Sequence, residues 1–343
     1  MAQKLEAMRA VYCYFFPEVR PILHEVESAL PDDIFLVTTP AKKVRESIDS
    51  LFDPPLEVPE TIDGNIDLDE IHVPIIERVV EAYSTLAPGL RDFPYSYPTS
   101  GSSEGIFHIL TKLRVSGIDA IYVLKGEYEG YSAQARNLGM KVNEIDSEET
   151  DLKKLEPGVW FISNPSARDG NIIPNEYIRE LCDLEHKVIL DLAYVGATMP
   201  YEFDVSHENV SAVVMSFSKP YGVFRFRVGG FTFSREEMPT LYGNKWFKDV
   251  PALFQALKLA EEIGPCKLYE KYKQVQEAIL GRINAELGLG IRPSDSVLLG
   301  YLRKDDIAGL NADQLAIIDT FKRAEGYRFC LTPYFERVEK GGQ

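Results

Sequence analysis

Cysteine is scarce in this chain. There are four in 343 residues, Cys13, Cys182, Cys266 and Cys330, far apart and with no Cys-x-x-Cys pair. That pattern argues against a disulfide-stapled scaffold and a thiolate metal centre. It fits buried thiols in a reducing compartment, so a cytoplasmic protein is expected. The five histidines show no His-Glu-x-x-His or similar spacing, and no metal site is expected. Positive charge is also short: 37 Lys and Arg stand against 53 Asp and Glu, a formal net charge of −16. With no basic excess, nucleic acid and anionic membrane surfaces are not expected partners. Cations for any anionic ligand must therefore be placed locally. No apolar run approaches about 18 residues, so no membrane span is expected, and no signal-peptide apolar region follows the N-terminus.

What the chain does have is an ordinary globular balance, 45% apolar and 26% charged residues. Its length suggests roughly two domains at about 150 residues each. The middle alternates short apolar runs with helical stretches. The runs are Ile118–Leu124, Val159–Ile162, Val188–Leu190, Ala212–Met215 and Phe231–Phe233. Nearly continuous runs of this length suit strands buried on both faces. Between them, Glu176–Leu184 reads as a helix, and Ile106, Ile109, Leu110 and Leu113 fall on one helical face. This alternation predicts an α/β domain on a mostly parallel sheet. Pro54 to Gly64 reads as an irregular connection. Later, Ala252–Ile263, Leu268–Leu287 and Asn311–Ala324 read as helices, with Val297–Leu302 and Tyr327–Leu331 as strands of a smaller α+β unit. The expected division is 1–50 as an N-terminal segment joining the small domain, 51–235 as the large α/β domain, and 236–343 as a linking helix and small α+β domain.

Each apolar run empties into polar residues. Val159–Ile162 leads to Ser163-Asn164-Pro165, Val188–Leu190 to Asp191-Leu192-Ala193-Tyr194, and Ala212–Met215 to Ser216-Phe217-Ser218-Lys219. In open α/β sheets ligands sit beyond the carboxyl ends of the strands, where these side chains would converge. Taken singly, Asn, Asp and Ser also serve as N-caps of the next helix. Ser100-Gly101-Ser102-Ser103-Glu104-Gly105, ahead of a helix, suits an anion cradle of free backbone N–H groups. The run Ser216-x-Ser218-Lys219, followed by Gly222, Arg227 and Gly229, is more specific.

That run resembles the lysine signature of fold-type I enzymes that use pyridoxal 5′-phosphate (PLP), in the class I/II group of aspartate and histidinol-phosphate aminotransferases. Four further elements follow the family's order: Gly101-Ser102-Ser103-Glu104-Gly105, Glu127-Tyr128-Glu129-Gly130-Tyr131, Asn164-Pro165 and Asp191-x-Ala193-Tyr194. The resemblance spans Tyr97 to Gly230, with a shorter match at Arg328. It implies a fold-type I architecture, with PLP held as a Schiff base on Lys219. Asp191 would pair with the pyridine nitrogen, and Asn164 and Tyr194 would bond the ring's phenolic oxygen. Tyr128 would stack on the ring, with Tyr131 as the substitute. Gly101, Ser102, Ser103, Ser216, Ser218 and Arg227 would hold the phosphate, with Arg225 competing with Arg227. Arg328 would grip a substrate α-carboxylate. A homodimer is implied as well.

The sequence departs from the family in places. The loop from Asn164 to Pro174 is longer, and brings Arg168 and Asp169 within possible reach of substrate. Gly126-Glu127 replaces the usual Pro-Thr before the stacking tyrosine. The tyrosine that a partner subunit commonly contributes has no clear counterpart around Leu51–Ile75, and the chain is short for the family, as if the small domain were trimmed. The expected activity is an aminotransferase acting on a small amino acid and a keto acid. The alternatives are a PLP-dependent lyase, decarboxylase or cyclase, or a PLP-fold protein that binds without turnover.

Overall fold

A computed structural model describes residues 14–339, apart from 31, 37, 147–149, 225, 227 and 247, and leaves the side chains of 336–339 undescribed. Cys13, Arg225 and Arg227 thus lie outside the described residues.

Seven strands form the main sheet: β1 (Tyr95–Thr99), β2 (Ala120–Leu124), β3 (Lys141–Ile145), β4 (Val159–Ser163), β5 (Lys187–Asp191), β6 (Val210–Ser216) and β7 (Gly230–Ser234). Their spatial order is β1-β7-β6-β5-β4-β2-β3. The neighbours from β3 to β6 run parallel, and β7 alone is antiparallel to both β6 and β1. Helices Ser102–Val115, Glu129–Asn137 and Asn175–Asp183 connect the strands. The expected α/β architecture with a mostly parallel sheet is what the chain forms.

The sheet is rigid because both of its faces are buried. Side chains alternate sides along a strand. Val159 and Phe161 of β4 join the apolar cluster with Ile106, Ile109 and Leu110 of the helix after β1. Trp160 and Ile162 of the same strand join the larger cluster on the other face. The central strands therefore read as continuous apolar runs in the sequence. The two strands that the sequence did not reveal, β1 and β3, are the two sheet edges. Both are partly exposed, so their apolar content is diluted.

Four further strands, β8 (Arg292–Pro293), β9 (Leu299–Leu302), β10 (Lys322–Arg323) and β11 (Gly326–Cys330), form an antiparallel sheet in the order β10-β11-β9-β8. The helix expected over Asn311–Ala324 is shorter, Ala312–Ile318. Asn311 and Gln314 start it as a reciprocal capping box, but a single turn over Asp319–Phe321 then leads into β10. Ala324 at φ 50° makes the tight reversal into β11, which a continuing helix would forbid. Likewise Val250–Lys258 passes into a wider turn over Leu259–Ile263 before the long helix Lys267–Leu287. The N-terminal residues lie against this C-terminal half. Phe16 packs 4.7 Å from the Tyr272 ring, and Tyr14 packs 5.6 Å from the Phe335 ring.

Cys182, Cys266 and Cys330 are buried and unpaired with one another. Among the described residues no helix is long and apolar enough to cross a membrane.

Because the central sheet carries the core, truncation there should be costly. Ile189 is 3% exposed and Ile62 fully exposed. Ile189→Ala is expected to destabilise by about 2–5 kcal/mol, and Ile62→Ala by less than about 0.5 kcal/mol. Urea unfolding of the two variants checks this.

Candidate active site

The carboxyl ends of the parallel strands share one edge of the sheet, and the turns leaving that edge line a cavity of about 270 Å³. Gly101, Ser102 and Ser103 follow β1, and Tyr128 follows β2. Asp191 ends β5, Tyr194 follows it, and Ser216, Ser218 and Lys219 leave β6. Arg328 enters from β11 of the second sheet. Residues spread over more than 200 positions of sequence thus face one space.

Local chemistry explains each turn. The helix Ser102–Val115 begins at Gly101, whose φ of 133° suits glycine and which has no side chain to cap the helix. The first N–H groups of a helix so begun are available to an anion. Glu104 steadies the turn by accepting from the Ser100 N–H at 2.5 Å and its hydroxyl at 3.0 Å. Tyr128 folds back over Gly130, where any Cβ would come within 2.3 Å of its ring. The Tyr128 hydroxyl lies 3.2 Å from that of Ser103. Lys219 Nζ sits 4.1 Å from the Tyr194 ring centre and 5.8 Å from that of Tyr128, between two aromatic faces. Phe217 and Tyr221, two residues either side of the lysine, stack at 5.4 Å and fix its turn.

Beneath the lysine lies a buried carboxyl. Asp191 accepts from the Tyr131 hydroxyl at 2.8 Å and from the Ala193 N–H at 3.0 Å. Burial pushes its pKa above the ordinary 3.8, against the pull of Lys219 and these two bonds. Tyr131 is held well above its ordinary value by burial and by the charges of Asp191 and Glu127. It therefore stays a hydroxyl donor.

Glu127 is a second buried carboxyl, and it too lines the cavity. The hydroxyls of Ser163 and Ser166 both donate to it, and Arg168 lies 3.9 Å away. Burial raises its pKa as well, with Arg168 the main opposing influence. Arg168 and Asp169 line a neighbouring cavity of about 610 Å³, and Arg323 lines both cavities.

Not every candidate from the sequence reaches the cavity wall. Asn164 is not found among the described residues that line it. Its Oδ1 accepts from the Ile173 N–H and its Nδ2 donates to the Ile173 carbonyl, both at 2.9 Å, which leaves one amide hydrogen uncommitted. Conversely, the cavity includes Glu127, Arg323 and Phe224, to none of which the sequence assigned a role. Glu127 did leave a trace, as the acidic residue in place of the family's Pro-Thr. Arg323 left none, since its approach depends on the hairpin that shortens the preceding helix.

The donor set fits PLP. Asp191 is a buried acid on the cavity wall that could accept from a pyridine N–H, and a lysine amine lies between two aromatic faces. The Ser218 hydroxyl, beside an uncapped helix start, is buried without a hydrogen-bond partner among the described residues. An oxygen-rich anion would satisfy it.

The profile of the family described as "Aminotransferase class I and II" matches residues 97–269, 173 of the chain's 343 positions. Histidinol-phosphate aminotransferase, chloroplastic, of Nicotiana plumbaginifolia is 34% identical over 93 residues, which span 26% of this chain and 22% of that protein. The substrate-bound BacF structure from Bacillus subtilis superposes with a TM-score of 0.61 at 16% identity, over 95% of this chain and 87% of that one. Escherichia coli YbdL, described with a methionine aminotransferase function, gives 0.56 at 14% identity, over 95% and 97%. At such identities the structures establish the fold alone.

The raised Asp191 pKa has a consequence for stability. A carboxyl whose folded pKa lies above its unfolded value adds stability below the unfolded value, and that contribution is lost as pH rises through the folded pKa. Asp191→Asn removes the titration. In cofactor-free protein, the melting temperature of Asp191→Asn minus that of wild type should be more positive at pH 7 than at pH 4. Thermal melts at the two pH values decide it, and an equal difference at both would contradict the buried-acid account.

Proposed function

Because the chain belongs to the aminotransferase class I and II family, we propose that it is a PLP-dependent aminotransferase acting on a small amino acid with a free α-carboxylate. The observation that carries this reading is the meeting of Lys219 with the buried Asp191 in a cavity that also receives a helix N-terminus. Family membership supplies the cofactor's identity. The relatives matched in sequence are covered over about a fifth of their length, so substrate and reaction are read from the site.

In this reading Lys219 carries the cofactor covalently, and its Nζ afterwards moves a proton at the substrate α-carbon. When bound, PLP supplies an electron sink for charge developing at that carbon. Asp191 holds the ring nitrogen's proton, with Tyr131 and the Ala193 N–H fixing the carboxylate in place. Tyr128 would cover the ring face, Tyr194 lies against the lysine, and Asn164, set back from the cavity wall, would have its remaining amide hydrogen for the ring oxygen. The turn Gly101 to Ser103 binds the phosphate with Ser216 and Ser218, helped by Arg227. Arg328 orients the substrate by its α-carboxylate.

The same residues could serve decarboxylation, elimination or cyclisation, so the products decide the reaction. We place the enzyme in the cytoplasm as a homodimer. Support comes from the buried free thiols of Cys182 and Cys266, from the exposed rings of Phe224 and Phe226 just past the lysine, and from the prevalence of two-fold assemblies. Sedimentation at micromolar concentration should give twice the chain mass, and a monomer alone would overturn that assignment.

Three further outcomes are expected. Borohydride should fix the cofactor to wild type but not to Lys219→Ala, which should still bind PLP reversibly. Peptide mapping that finds the label on another lysine would refute the role of Lys219. With an amino donor and a keto acid, wild type should release the donor's keto acid, whereas an amine or ammonia instead would replace transamination with decarboxylation or elimination. Arg328→Ala should lower kcat/KM at least about tenfold while retaining PLP, from the loss of a charge-assisted contact.

A further inference from the structure

The carboxyl of Glu127 has no part in the roles above, yet its side chain is only 1% exposed beside the cavity. Burying a carboxylate is costly unless donors and charge surround it. Apart from the adjacent Tyr128 N–H, 3.4 Å from Oε2, the donors come from one stretch of chain. Oε2 accepts from the Ser163 hydroxyl, and that hydroxyl oxygen accepts from the Ala167 N–H at 2.7 Å. Oε1 accepts from the Ser166 hydroxyl, whose oxygen accepts from the Arg168 N–H at 3.2 Å and Nε at 3.1 Å. The carboxyl therefore grips the turn on both sides of Ala167.

The Ala167 carbonyl accepts from Arg328 Nη1 at 2.6 Å. The backbone around it is further closed by Ser166 N–H to the Asn171 carbonyl and Gly170 N–H to the Ser166 carbonyl, each 2.8 Å. A continuous path thus runs from Glu127 through two serines to Ala167, and from Ala167 to the guanidinium. We infer that Glu127 is a positioning residue that sets the orientation of Arg328, and so the binding of the substrate carboxylate, by anchoring the Ser163–Arg168 turn. It acts through Arg328 and need not touch the substrate.

Glu127→Gln keeps the side chain's shape but cannot accept both hydroxyls as a carboxylate does. The first readout needs no activity. Holoenzyme is treated with an arginine-directed dicarbonyl, and modification of Arg328 is followed by peptide mass mapping. Loss of the anchoring bonds should raise its rate roughly three- to tenfold. The second readout rests on the aminotransferase reading. In spectral titration of holoenzyme, an amino acid that shifts the wild-type spectrum should bind Glu127→Gln roughly three- to tenfold more weakly. In an Arg328→Ala background the same substitution should change affinity by less than about twofold, because both residues act on one contact. Ser166→Ala should reproduce both effects, and it stands in if Glu127→Gln fails to fold.

An unchanged Arg328 modification rate in both variants would overturn the inference. So would an undiminished affinity loss in the Arg328→Ala background, since a merely structural carboxyl would act additively. A wild type whose spectrum no amino acid shifts would sink the aminotransferase reading instead, and Arg328 modification would still decide the role of Glu127.

Discussion

The site depends on carboxyls kept out of water. Asp191 and Glu127 are both buried at the edge where the parallel strands end, and each is tolerated because it collects donors. Ser163 and Asp191 are register partners on β4 and β5, so the two carboxyl systems are adjacent by construction of the sheet. Burial of this kind opposes folding, and the apolar clusters on both faces of the sheet offset it. The rigid core therefore does more than hold the chain together. It keeps poorly solvated acids in place until a ligand can use them.

The second constraint is local positive charge in an acidic protein. With a net charge of −16, a free anion in solution is repelled on average, so attraction must be built at short range. Helix-start N–H groups at Ser102 and Ser103, Lys219, and the guanidinium groups of Arg323 and Arg328 supply it at the cavity. Arg323 also faces Glu129 at 3.6 Å, so part of that charge is already balanced. Two kinds of scaffold meet here. The main sheet brings Asp191 and Lys219, and the small sheet brings Arg323 and Arg328.

Much of this was legible in the sequence because it is written in consecutive residues. The central strands β4 to β7 are buried on both sides and, with the less fully covered β2, show as apolar runs, and their polar sequels show as short motifs. The edge strands β1 and β3 were hidden, since one-sided or partial exposure erases the run. The helix after Asn311 was overextended because its capping signal marks a start and nothing in the pattern marks the end. Ala324, the residue that reverses the chain, is not a type that advertises a positive φ.

The site's supporting shell was the least legible part, and the reason is physical. Asn164 reads as a cofactor ligand by motif, yet its amide is largely committed to the backbone of Ile173, nine residues away round a loop of unusual length. That loop needs an anchor, and Glu127 provides one from a different strand turn. The two departures from the family pattern, a longer Asn-Pro loop and an acid in place of Pro-Thr, meet in space at Ser163 and Ser166. The longer turn brings Ser166 and Arg168 to a buried point that only a multiple acceptor can satisfy, and the carboxyl at position 127 is that acceptor.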